Sequence, residues 1–152
     1  MKRFHVHLHV ADIGTSVAFY SVLFGVPPAK HKHDYAKWML DAPAVNFAIS
    51  KVEGHVGLSH LGFEVDDEDP LAELSARARQ AAGEILIERR VHCGYARGNK
   101  SWATDPQGVR WENFHTYEGE LETFGCGAEE AWREDRNGKR AGVAEICPTQ
   151  KM

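Results

Sequence analysis

Histidine stands at alternate positions in Phe4-His5-Val6-His7-Leu8-His9-Val10. The pattern returns at His60-Leu61-Gly62-Phe63-Glu64-Val65-Asp66-Asp67, with His60 over His5, Val65 over Val10 and Asp67 over Asp12. Either histidine alone is better read as an ordinary half-buried strand residue. At the same place in two copies of one unit, the pair is better read as two metal ligands brought together by internal pseudo-symmetry. The other residues with reactive side chains are three cysteines, Cys93, Cys126 and Cys147. An odd number at irregular spacing makes neither a disulfide framework nor a zinc knuckle. They read as free thiols, and a cytoplasmic protein is the expectation.

These residues need elements to hold them. Along 4–10, alternation sets His5, His7 and His9 on one face and Val6, Leu8 and Val10 on the other. Asp12 can cap a helix whose apolar positions are Val17, Tyr20, Leu23 and Phe24, ending at Gly25. After Pro27-Pro28, short strands are predicted at 29–33, 37–40 and 45–50. The result is one β-α-β-β-β unit. A linker over 51–57 leads to the second, with a strand at 58–65 and a helix from Pro70 through Leu71, Leu74 and Ala78 to Gly83. Strands at 84–90, 92–97 and 101–104 follow, and Asp105-Pro106-Gln107-Gly108 turns the chain into a last strand at 109–116. Beyond Tyr117 the chain is charged and glycine-containing, and 117–152 is read as a polar, partly flexible tail outside a single domain of 1–116.

At 152 residues, with 43% hydrophobic and 26% charged residues, the chain has the size and composition of one globular domain. A formal net charge of −4 gives no basic footprint for nucleic acid. No apolar run approaches the length that spans a membrane, and Met1-Lys2-Arg3 leads straight into a strand without a secretory signal. A small-molecule substrate is the expected partner, and homodimerisation is left open.

Two β-α-β-β-β units (roughly 3–50 and 58–116), each opening on His-x-x-x-x-Val, with an Asp-Pro-Gln-Gly turn before Trp111-Glu112, resemble the vicinal oxygen chelate superfamily. That superfamily includes glyoxalase I, extradiol dioxygenases and bleomycin-resistance proteins. The resemblance implies an α+β fold in which the paired modules form one metal-binding cup. It also implies His5, His60 and Glu112 as the metal ligands, with Glu112 the catalytic carboxylate. The fourth family position falls on Phe47, or on Asn46 with a slip of one, and neither is a carboxylate. Two histidines and one glutamate leave coordination positions open, the arrangement of non-haem Fe(II) oxygenases. Fe(II) is the ion expected, with Zn, Mn or Ni as alternatives.

Within the superfamily, Asp34-Tyr35-Ala36-Lys37-Trp38-Met39-Leu40, Cys93-Gly94-Tyr95-Ala96-Arg97 and Lys100-Ser101-Trp102 are similar to the organoarsenical carbon–arsenic lyases and the related cadmium-induced proteins. Those lyases are Fe(II)- and oxygen-dependent and hold arsenic on a vicinal cysteine pair. Here Cys93 stands at the first cysteine position and Gly94 at the second. The resemblance implies a substrate subsite of Cys93, Tyr95 and Arg97, which on an extended strand would share a face, with Arg97 favouring a Cys93 thiolate. The other reading of Cys93 is an inert, small apolar residue. Cys126, between Gly125 and Gly127, could fold back as a second thiol; Cys147 is further out. His31, His33 and His115 have no matched partner. Two further functions stay open: a metalloenzyme for a small oxygenated organic substrate, and a non-catalytic protein that sequesters metal or drug.

Overall fold

The computed structural model describes residues 1–143. The first module runs β1 (Lys2–Val10), α1 (Ile13–Phe24), β2 (Lys30–His31), β3 (Tyr35–Asp41) and β4 (Ala44–Lys51). The second runs β5 (Gly57–Val65), α2 (Glu68–Ala82), β6 (Glu84–Gly94), β7 (Ala96–Thr104) and β8 (Arg110–Glu118). Three short strands follow: β9 (Gly125–Gly127), β10 (Glu130–Asp135) and β11 (Arg140–Gly142). The expected pair of β-α-β-β-β modules is therefore present, and the fold is α+β. No helix among the described residues is long and apolar enough to cross a membrane.

One mixed sheet takes all the strands in the order β11-β10-β6-β7-β8-β5-β1-β4-β3-β2, with β9 also on β6. The modules meet where β1 and β5 pair antiparallel, His7 opposite His60 and His5 opposite Gly62. Within the modules the outer partners are parallel: β1 with β4, and β5 with β8. Alternation then divides the sheet. Val6, Leu8 and Val10 pack with Trp38, Phe47, Ile49 and the α1 residues Ile13, Val17, Tyr20 and Phe24. Burying this apolar face drives the module to fold, and it commits the histidines of β1 to the opposite face. Asp12 caps α1, its side chain accepting from Thr15 N at 2.8 Å. Leu23, expected on the inner face of α1, is exposed; Phe19 and Val22 are exposed beside it.

Two stretches differ from the sequence reading. The three strands expected at 84–90, 92–97 and 101–104 are instead two, β6 and β7, the arms of a hairpin whose turn falls inside 92–97, with Cys93 opposite Ala96 and His92 opposite Arg97. Gly94 has φ of +62° at the first of the two turn positions, the place where a II′-type hairpin calls for glycine. Alternation through 93–97 is broken by that turn.

The stretch from 117, whose composition suggested a tail, carries β9 to β11. β10 pairs with β6 over Glu84–Arg89, and ion pairs Arg133–Glu84, Arg79–Glu134 and Arg90–Glu129 tie the segment down. Short charged strands at a sheet edge have the composition of a solvated tail, because polar side chains on an edge prevent further pairing. Cys147 and the rest of 144–152 lie outside the described residues.

Candidate metal centre

β1, β5 and β8 lie side by side, and each contributes one buried polar side chain to the face away from the helices. His5 is 5% exposed, His60 8% and Glu112 3%. His5 Nε2 lies 3.2 Å from His60 Nε2, and Glu112 Oε2 lies 3.4 Å and 3.2 Å from the two. Three donor atoms at these mutual spacings can all touch one divalent ion at ordinary bond lengths of about 2.0–2.2 Å.

The protonation pattern suits that use. His5 Nδ1 donates to the backbone carbonyl of Asn46 at 3.1 Å, which fixes the proton there and leaves Nε2 as a lone pair. His60 Nδ1 lies 3.0 Å from Ser59 Oγ, which holds that ring by its outer nitrogen. Burial lowers the His5 pKa to about 4, against the pull of Glu112, so His5 is neutral. Burial also acts to raise the Glu112 pKa, but the Lys100 ammonium and His60 outweigh it and hold the carboxyl well below its ordinary range. At His5 and Glu112 the chain thus presents a neutral imidazole and a carboxylate, both in the protonation state that binds metal.

His7 is the third histidine of this cluster, its donor atom within 4.8 Å of those of His5 and His60. Its Nε2 meets Ser50 Oγ at 2.8 Å, and its ring meets the His60 ring at 4.7 Å. His7 therefore packs the back of the site.

Lys100, on β7, forms an ion pair with Glu112 Oε1, the carboxylate oxygen turned away from the histidines. Its ammonium also lies 5.8 Å from the Phe114 ring centroid and 5.7 Å from that of Trp102. Burial works against the charge on Lys100, yet neighbouring Cys93 and Glu112 hold its pKa above the ordinary value. The sequence reading gave Lys100 no role; its one signal is a cation on a strand whose register brings it across from β8 beside Glu112.

The counterpart of Glu112 in the first module is neither Phe47 nor Asn46. Glu112 pairs with Gly62, two residues past His60; the matching position past His5 is His7, whose partner on β4 is Ala48. Phe47 belongs to the helix-facing core. Asn46 shares the face of Ala48, donates from Nδ2 to Glu64 at 2.9 Å and leaves its buried Oδ1 without a partner. No carboxylate stands at that fourth position.

The residues of the expected substrate subsite separate. Cys93 is exposed at the end of β6, opposite Ala96 on one side and Cys126 on the other. It neighbours Lys100 and Tyr35, whose hydroxyl pKa is raised first by burial and then by Cys93. Tyr95 is buried, with its hydroxyl donating to Asp34 Oδ1 at 2.8 Å. Arg97, half-exposed, pairs with Glu118 at 3.5 Å instead of approaching Cys93. The hairpin turn accounts for the difference, because it sends Arg97 back along β7 opposite His92.

Acid should destabilise the metal-free chain before its carboxylates titrate. The folded pKa of His5, about 4, lies below its unfolded value of about 6.5. The unfolded chain therefore binds the proton more tightly, and the contribution of neutral His5 is complete above pH 6.5 and lost as pH falls towards 4. His5 alone accounts for about 3 kcal/mol over that window. Urea midpoints of metal-free protein at pH 7.5 and pH 5 check this: wild type should lose clearly more stability than His5→Asn, and equal losses would refute it.

Comparison with known proteins places this geometry in context. Residues 2–113 match the Glyoxalase/Bleomycin resistance protein/Dioxygenase superfamily. The chain is 38% identical over 120 residues to the trivalent organoarsenical cleaving enzyme of Bacillus sp. (strain MD1), covering 76% of this chain and 74% of that protein. It is 33% identical over 148 residues to the cadmium-induced protein CadI of Mycobacterium bovis, covering 97% and 93% of the two chains. Among solved structures, the Mn(II)-bound glyoxalase from Novosphingobium aromaticivorans has the same fold. The TM-score is 0.56 at 18% identity, over 82% of this chain and 43% of that one.

Proposed function

The chain belongs to the glyoxalase/bleomycin resistance protein/dioxygenase superfamily, and we propose that within it the chain is a metal-dependent lyase that cleaves the carbon–arsenic bond of trivalent organoarsenicals. The observation that carries this reading is the donor triangle of His5, His60 and Glu112, built into a fold whose relatives include organoarsenical cleaving enzymes. In this reading the three residues hold Fe(II), which supplies the redox chemistry with dioxygen; Zn, Mn or Ni fit the same donors. Glu112 serves as both ligand and catalytic carboxylate.

The remaining parts act by holding and shielding. The Asn46 carbonyl keeps the His5 lone pair on Nε2. Lys100 grips the second oxygen of Glu112 and so fixes which oxygen faces the histidines. The Phe114 ring packs edge-on against His5, and Trp102 packs edge-on against His60, excluding water from one side of the site. Cys93 supplies a sulfur ligand for the soft As(III) centre from the exposed end of β6. Tyr95 shapes that end through its bond to Asp34, and Arg97 lines its rim.

Loading purified protein with Fe(II) without oxygen, then adding oxygen with a methyl- or phenylarsenite, should release arsenite. The same protein without Fe(II), or kept anaerobic, should release none. Ring cleavage of a catechol in place of arsenite release would move the assignment to a small oxygenated organic substrate.

A further inference from the structure

The two modules fill the space between helix and sheet differently. In the first, Tyr20 and Phe24 of α1 meet Trp38 and Phe47 with ring centroids between 4.6 and 6.0 Å apart, and the layer is closed. In the second, α2 brings Leu74, Ala78, Ala81 and Ala82 over the strands. Alanine is too short to reach the sheet, and a cleft of about 430 Å³ remains beneath the helix. Packed interiors leave few voids larger than a water molecule, whereas small-molecule sites run from about 300 to 1,000 Å³.

The floor of the cleft is aromatic, with one polar group set into it. Phe63 of β5 and Trp111 of β8 stack with centroids 6.3 Å apart and planes at 30°. Asn113 pairs with Phe63 in the β5–β8 ladder, lines the cleft and is only 5% exposed. No hydrogen bond joins its side-chain amide to another of the described residues, although a buried amide ordinarily has a partner. The edge of the cleft is cationic. Lys2 Nζ lies 4.9 Å from the Phe63 ring centroid, close to the Asn113 end, and Arg77 stands on α2 above. Arg77 meets Glu73 at 3.5 Å, but both side chains are about 70% exposed, so water weakens that pair. Asp105 also borders the cleft, and its carboxylate is taken up by the N–H groups of Gln107, Val109 and the Trp111 indole. Trp111 and Asn113 flank Glu112, so alternation along β8 puts this cleft on the face opposite to the metal triangle.

We infer that the cleft between α2 and the sheet binds a small aromatic carboxylate, separately from the metal centre. The aromatic body lies on Phe63 and Trp111 beneath the alanines of α2, where ring packing and burial supply affinity. The carboxylate lies at the Lys2 end, accepts from the Asn113 amide and answers the charges of Lys2 and Arg77. A few polar groups in an apolar cleft fix the orientation of such a ligand.

The test uses the full chain freed of metal, so that the cup offers the probe no ion to bind. The probe is 2-naphthoate, with 2-naphthalenemethanol as its uncharged counterpart. Calorimetry should show one naphthoate per chain, and the alcohol should bind about tenfold weaker or more, since it lacks the charge-assisted bonds. Lys2→Met combined with Arg77→Met should bring naphthoate down to the affinity of the alcohol and leave the alcohol unchanged. Asn113→Leu should weaken both, because each loses a hydrogen bond. Ala78→Leu fills the cleft and should abolish binding of both while the melting temperature holds or rises. Should that variant fail to fold, nuclear Overhauser contacts on the wild-type chain locate the probe, and its ring protons should lie near the Leu74 and Ala78 methyls. Contacts to Ala48 instead, opposite His7 on the face of the metal triangle, would overturn the inference. So would absence of saturable binding, equal affinity for naphthoate and the alcohol, or undiminished binding to folded Ala78→Leu. Self-association of the chain that shuts the probe out of the cleft would assign this surface to contact between copies, and would overturn it as well.

Discussion

His60→Ala is expected to leave the chain without its divalent metal. Removing one corner of the triangle formed with His5 and Glu112 leaves two donors, and affinity should fall more than the 10- to 100-fold typical of losing a residue that merely orients a ligand. His5→Ala and Glu112→Ala should behave alike, because each atom lies within 3.4 Å of the other two. His31→Ala, at an exposed position of β2, should keep its metal. Elemental analysis after gel filtration reads this directly, with far-UV circular dichroism to confirm that each variant folds. Full metal retention in folded His60→Ala would remove the basis of the assignment.

The second large effect concerns Lys100 and belongs to the metal-free chain. Lys100 and Glu112 form a buried ion pair, with side chains 14% and 4% exposed. Lys100→Met leaves the carboxylate buried without its countercharge, a change that costs about 3–5 kcal/mol. For a chain of this size that corresponds to a fall in melting temperature on the order of 10 °C. Two controls give the effect a signature. A divalent ion bound between His5, His60 and Glu112 is itself a countercharge, so metal should recover much of the loss. Adding Glu112→Gln to Lys100→Met removes the unpaired charge, and should recover stability in the absence of metal. If metal-free Lys100→Met melts with wild type, the ion pair contributes nothing to the fold.

The two variants probe different scales of organisation, and the sequence speaks to them unequally. Alternation in Phe4-His5-Val6-His7-Leu8-His9-Val10 is enough to put the histidines on one face, because successive side chains of a strand point to opposite faces and the apolar set must meet a helix. The repeat at His60 marks a second copy of the same strand. Local chemistry likewise fixes the cap at Asp12 and the turn at Asp105, where Gly108 N donates to the Asp105 carbonyl at 3.0 Å. Such signals act within a few residues of their cause, and they are legible for that reason.

Register between distant strands is another matter. Whether His60 meets His5 or His7, whether Ala48 or Phe47 answers Glu112, and whether Lys100 reaches that carboxylate depend on how strands slide past one another. Pairing β6 with β9 is the extreme case: it sets Cys126 opposite Cys93 from a glycine-flanked stretch whose composition resembles a solvated tail. Loop closure over such separations costs entropy but leaves no periodic mark in the sequence, and an edge strand needs no apolar face of its own to pair. By itself, then, the sequence determined which residue types face the site and which units repeat. Tertiary structure decided which atoms meet, because only the packed sheet fixes the register that brings His5, His60 and Glu112 within 3.4 Å.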